Sequence, residues 1–213
     1  MGKDADMLLV TMLDDIAWLL NLRGNDISYN PVFFAYLIFH KEGETFKVDL
    51  FMNKDKASDP EVMKYLGENH VSLYGYEEVD AKIAEYAAEG KKISIHKDSL
   101  CHKFVNLLTT HKYEMVNQEE SILPLLKCKK NETQMQGMRD CNVKDCAAIM
   151  KYFAFLEEEL RKPDHGLDEF SGARKVEEYR TFGELYKGPS FDTISSIGPN
   201  GAVIHYKPKQ ESA

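Results

Sequence analysis

The sequence predicts a mixed α/β domain over residues 1–122, followed over 123–213 by a helical arm that ends in a hairpin. Three observations predict it. Short apolar runs alternate with helix-like stretches in the first part, long helical periodicity takes over from about Ile122, and Asn200-Gly201 sits between two strand-like runs near the end. Alternating β and α patterns read as a sheet with helices packed on it.

Taken in order, residues 7–13 (MLLVTML) form an apolar run suited to a buried strand. Asp14 or Asp15 then caps a helix carrying Ile16, Trp18, Leu19 and Leu20, with Gly24 as its stop. Residues 32–40 and 46–52 read as adjacent strands joined through the KEGE segment 41–44, a hairpin connection that makes the sheet mixed. Asp59-Pro60 opens a helix running to about Asn69, Pro suiting the first helical turn. A strand over 71–74, a helix over 77–88 closed by Gly90, a strand over 92–96, a helix over 101–108 and a strand over 113–116 complete this part.

In the arm, Met135, Met138, Val143, Cys146, Ile149, Phe153, Leu156 and Leu160 recur near the 3.6-residue period, which marks them as one core-facing stripe of a long helix. Lys162-Pro163 and Gly166 end that helix, and a second follows over 168–186. Residues 193–197 and 202–206 flank Gly-Pro-Asn-Gly, and Asn-Gly between strand-like runs signals a hairpin. A two-stranded hairpin is marginal in water unless it packs on further strands or a helix. The arm therefore reads as the opening of a truncated domain.

Hydrophobic residues make up 43% and charged residues 29% of the 213, an ordinary globular mixture. A balance of 27 basic against 35 acidic residues leaves a formal charge of -8, which disfavours nucleic acid and anionic membrane surfaces as partners. No apolar run approaches a membrane span, and the opening MGKDAD lacks the pattern of a signal peptide. Cys101, Cys128, Cys141 and Cys146 form no CxxC pair, so free thiols and a cytoplasmic location are expected.

No self-contained catalytic constellation stands out. Phosphate-binding glycine loops, GxSxG and HExxH are absent. His96, Cys101 and His102 lie close in sequence but lack a second ligand pair, and read as a strand end and a helix start. The acid pairs Asp14-Asp15 and Glu119-Glu120, with Glu157, Glu158 and Glu159, read as helix starts or solvated faces. Trp18, Tyr29, Tyr36, Tyr74 and Tyr76 read as packing residues, and the sequon at Asn131 is discounted because it lies in a helical stretch.

Residues 13–26 (LDDIAWLLNLRGND) and 29–34 (YNPVFF) resemble the segment that opens the second domain of three-domain aminopeptidases P. Residues 191–206 (FDTISSIGPNGAVIHY) are similar to the first hairpin of that family's catalytic domain, and 129–139 (KKNETQMQGMR) with Lys144-Asp145 to its linker helix. The words occur in the family's order across about residues 5–208, while 40–120 share only its α/β rhythm. The resemblance implies a creatinase N-terminal-like sheet with flanking helices, then the start of a truncated pita-bread domain.

The reaction it implies is removal of an N-terminal residue from peptides with proline second, using two divalent ions, expected to be Mn2+. Two such ions activate water at neutral pH and polarise the scissile carbonyl. The family's ligands lie downstream of the His-Tyr pair, so no cofactor is expected in this chain, and the chain alone is expected to be inactive. His205 matches the family's substrate-side histidine, the one catalytic residue that the resemblance carries over. Proline-containing peptides are the expected partners of the complete enzyme, and a homodimer is expected from the apolar arm. A non-catalytic peptide- or protein-binding module related to the pita-bread proteins is the alternative.

Overall fold

Met7, Leu9 and Val10 are buried on a strand only four residues long because it runs through the middle of a sheet, covered on both faces. The computed structural model describes residues 4–118 and 121–210, and the chain divides into two compact units, Met1–Lys129 and Lys130–Ala213.

In chain order the first unit carries β1 (Met7–Val10), α1 (Leu13–Leu20), β2 (Ala35–Glu42), β3 (Thr45–Met52), α2 (Pro60–Glu68), β4 (Val71–Gly75), α3 (Val79–Ala88), β5 (Ile93–His96), α4 (His102–Thr110), β6 (Met115–Gln118) and α5 (Ile122–Cys128). The strands form one sheet in the order β4-β3-β2-β1-β5-β6. β2 pairs antiparallel with β1 and β3, with Leu37 opposite Leu50 and Ile38 opposite Asp49, while the other three pairings are parallel. The mixed sheet expected from the hairpin at residues 41–44 is therefore present, turning at Gly43 with φ +60.

Successive side chains of a strand point to opposite faces. Leu37, Leu50 and Met52 consequently share a core with Ile16 of α1, Leu66 of α2 and Leu123 of α5. Their neighbours Ile38 and Phe51 share the other core with Ile83 of α3 and Phe104 and Leu108 of α4. Leu123 makes α5 part of this unit, so the first compact unit extends past the boundary at 122 read from the sequence.

Helix ends show where local signals hold. Asp59 caps α2 by accepting from the Glu61 N–H at 2.8 Å, with Pro60 in the first turn, as its sequence predicts. At α1 the expected cap is displaced. Met12 occupies the capping position without a side-chain bond, and Asp14 and Asp15 lie inside the first turn. Asp15 is buried, and both acids are bound by Lys127 of α5, so they are clamped rather than solvated. Nor does Gly24 stop that helix. Asn21, in the left-handed conformation at φ +49, does so. Gly24 serves instead to let the loop approach Val32 and Phe33 closely.

The second unit consists of α6 (Glu132–Glu159), α7 (Glu169–Thr181) and the segment after them. Asn131 caps α6 through a reciprocal pair with Gln134, which gives the sequon residue a helix-starting task. The two helices run antiparallel, with Asp145 bonded to Arg180 at 2.6 Å and Tyr152 lying against Gly172. Ala148 and Val176 are buried between them. The apolar stripe of α6 is not the core seam its period suggests. Val143 and Phe153 are 70% and 61% exposed, because within this unit α7 covers only the face bearing Ala148 and Tyr152.

The hairpin expected over 193–206 does not form. No described residue there is in a strand, and Gly198–Ala202 winds into a 3-10 turn. No third strand pairs with the segment among the described residues, and two strands alone are marginal. Glu169 of α7 instead accepts from the Ile197 N–H and the Asn200 amide of the segment. Glu119 and Glu120, read as solvated acids, lie outside the described residues, whereas Glu157 and Glu159 make exposed pairs with Arg161 and Lys162.

Candidate functional site

Asp168 starts α7 by exchanging bonds with Ser171, whose N–H lies 2.6 Å and whose hydroxyl lies 2.7 Å from the Asp168 carboxylate. These Ser171 bonds hold the Asp168 carboxyl below its ordinary value. Asp168 leaves Glu169 at the first helical position, where the helix dipole favours an anion. Onto this half-buried carboxylate converge groups 28 to 37 residues further along the chain. The Ile197 N–H donates to Oε1 at 2.5 Å, the Asn200 amide to both oxygens at 3.2 and 3.0 Å, and the Tyr206 hydroxyl to Oε2 at 2.5 Å. The Tyr206 hydroxyl is the largest of the influences that hold the Glu169 carboxyl below its ordinary value.

The segment so anchored is wound by three successive bonds three residues apart. Asn200 N–H donates to the Ile197 carbonyl at 3.3 Å, Val203 to Asn200 at 3.0 Å, and Tyr206 to Val203 at 3.2 Å. Proline at the second position of the 3-10 turn presets its φ, and Gly198 at φ +56 admits the left-handed conformation that precedes it. His205 lies on the last of these turns, exposed, with φ +54. A non-glycine residue in this region costs roughly 1–2 kcal/mol, so the surrounding bonds must hold it there. No hydrogen bond or ion pair among the described residues engages its imidazole, whose two ring nitrogens are free to serve as donor and acceptor.

The other residues singled out in the sequence take structural places. His96 ends β5 with Nδ1 3.2 Å from the Ser99 hydroxyl, while Cys101 occupies the capping position of α4 without a side-chain bond and His102 begins the helix. Tyr36 stacks on Tyr76 with ring centres 4.7 Å apart, and Tyr74 on Phe51 at 5.2 Å. Tyr29, read from the sequence as a packing residue, is instead 43% exposed, at φ +67. The four cysteines are free and exposed.

Two polar clusters were not legible in the sequence. One is the convergence on Glu169. The other is buried under α3, where the Tyr86 hydroxyl donates to Asp49 at 2.5 Å and lies 3.1 Å from His40 Nε2. Burial first, then Asp49, push the Tyr86 phenol far above its ordinary value. The only sequence signal for the latter was a polar residue on each of two neighbouring apolar strands. Among the described residues no group of three or more His, Cys, Asp or Glu side chains comes together to hold a metal ion, so the residues present do not fit a metal pair.

Residues 1–134 match the Creatinase/Prolidase N-terminal domain, and 136–212 match Metallopeptidase family M24. The chain is 42% identical over 98% of its length to a probable Xaa-Pro aminopeptidase P of Sordaria macrospora, and 43% identical over 99% to one of Aspergillus niger. It spans about a third (34%) of the length of each. An X-prolyl aminopeptidase of Caenorhabditis elegans, described as a cytosolic enzyme with a di-nuclear active site, superposes over 99% of this chain and 34% of its own, with a TM-score of 0.84 and 31% identity. An Xaa-Pro dipeptidase of Bacillus anthracis, at 13% identity, 83% of this chain, 44% of its own and a TM-score of 0.57, shares the fold. The likeness thus extends through residues 40–120, where the sequence words alone showed only a common rhythm. The chain belongs to the creatinase/prolidase N-terminal domain family and continues into the start of a Metallopeptidase family M24 domain.

Proposed function

We propose that the complete protein containing this chain removes the N-terminal residue from peptides whose second residue is proline, in the cytoplasm. The observation that carries this reading is the likeness to the C. elegans X-prolyl aminopeptidase over 99% of the chain, at 31% identity. The fungal relatives bear the same activity in their names.

The divalent ions, expected to be Mn2+, belong in this reading to residues that the chain does not supply, and no step through them is assigned to its side chains. The chain's own contribution is His205. Its exposed imidazole offers a donor and an acceptor to a peptide bond, and its left-handed backbone fits a residue held for a task rather than for packing. The test is His205→Ala in the full-length protein. A loss in kcat/KM on the order of 100-fold, with metal content and melting temperature unchanged, is the expected result for a group assisting proton transfer. Loss of metal or of folding in that variant would make the histidine structural. The 213-residue chain alone is expected to show no turnover with added metal.

A further inference from the structure

We propose that Glu169 is a positioning residue for His205: its carboxylate ties down both ends of the wound segment from Ile197 to Tyr206 and so fixes the direction in which the imidazole leaves the chain. The inference rests on the substrate-side role proposed above for that histidine.

The bonds divide the labour. Ile197 is held before the 3-10 turn, Asn200 within it, and Tyr206 immediately after His205. The Asn200 amide also donates to the Tyr206 hydroxyl at 3.1 Å, so the two ends are linked to each other as well as to the acid. A carboxylate offers about four acceptor sites, and bonds to a charged acceptor are roughly twice as strong as neutral ones. The Ile197, Asn200 and Tyr206 donors thereby all reach one acceptor that cannot itself donate. His205 needs such a frame, because its left-handed backbone is disfavoured and no bond of its own imidazole holds it among the described residues. Glu169 is in turn fixed by α7, whose first turn is pinned by Asp168 and Ser171. The line of constraint therefore runs from a rigid helix end through one carboxylate to the residue beside the histidine.

Glu169→Gln keeps the shape but sets an amide donor against either Tyr206 or Ile197. In the full-length protein it is expected to lower kcat for an Xaa-Pro peptide by about 10- to 100-fold, the loss that follows from displacing a reacting group by about 1 Å. KM, metal content and melting temperature should move little. In a His205→Ala background the same substitution should cost less than about 2-fold, because effects acting through one group do not multiply. Multiplying losses, or an unchanged kcat in the single variant where His205→Ala is itself impaired, would overturn the proposal. Tyr206→Phe removes one hydroxyl and carries the same test should Glu169→Gln unfold. NMR of the histidine-labelled 213-residue chain gives a readout free of activity: Glu169→Gln should shift the His205 ring resonances, and unmoved resonances would refute the frame. A neutral His205→Ala alongside shifted resonances would uphold the frame and sink the histidine's proposed role instead.

Discussion

Replacing Gly24 by alanine should destabilise the first unit, against the usual sign of such a change. Nothing in its backbone demands glycine, so on conformational entropy alone alanine would stabilise by about 0.4–1 kcal/mol. Space decides otherwise. A Cβ there would lie 2.6 Å from the Phe33 Cβ and 2.9 Å from the Val32 carbonyl oxygen. Carbon atoms pack at about 3.5–4.0 Å, so the overlap is on the order of 1 Å. Neither obstacle can rotate away, since one is backbone and the other the first atom of a side chain. Relief requires moving the segment that buries Val32 and Phe33 against the sheet. Overpacking of this kind costs about 1–3 kcal/mol. At about 4 °C per kcal/mol for a unit of this size, the melting temperature should fall by about 4–12 °C. Gly67, with nothing within 4 Å of its would-be Cβ and a place in the last turn of α2, is the matched control. Gly67→Ala should stabilise by about 0.5–1 kcal/mol. Thermal melts of the two variants followed by circular dichroism give opposite signs if the close approach is real. A Gly24→Ala variant as stable as Gly67→Ala would refute it.

Two further outcomes are expected. Lys127 holds the Asp14 carboxyl below its ordinary value of 3.8, so this contribution is present above that pH and is lost as pH falls through the lowered value; Asp14 is largely exposed, which limits its share to at most about 1 kcal/mol. Urea melts of Lys127→Met against the parent should accordingly show a stability gap that narrows as pH falls below about 4, the ordinary carboxylate range, and a gap that does not narrow on acidification would contradict the clamp. The 213-residue chain should self-associate through Val143, Met150 and Phe153, since each large apolar side chain buried is worth about 1.5–3 kcal/mol. Light scattering that returns a 24.4 kDa monomer would rule out this homodimer, and Phe153→Asp should dissociate it if it forms.

The parts legible in the sequence were those whose signals are local. Asp59-Pro60 starts α2 because capping and proline geometry act within one turn, and the two-residue turn at Gly43 follows from the apolar runs on either side. The run 193–206 misled for the complementary reason. Asn200-Gly201 and its flanks carry the local chemistry of a hairpin, but strands need lateral partners that no local pattern supplies. The stripe on α6 shows the same limit: periodicity identifies a face but not what covers it, and Phe153 and Val143 face outward in this chain. Asp15 illustrates the reverse error, an acid read as solvated that is buried and held by a lysine more than a hundred positions away, at Lys127. At the candidate site, His205 is singled out by its sequence neighbours and not by any property of its own. Glu169 escaped notice because a single acid at a helix start has a sufficient local explanation, whereas its partners lie as far along as Tyr206.

The most direct measurement compares two peptides differing only at the second residue, proline against alanine, as substrates of the full-length protein supplied with a divalent ion. Release of the N-terminal residue from the proline peptide alone, abolished by a chelator and restored by adding the ion back, is the expected result. Binding of the proline peptide without release, in protein shown to carry its full complement of metal, would contradict the aminopeptidase reading and leave a peptide-binding module in its place.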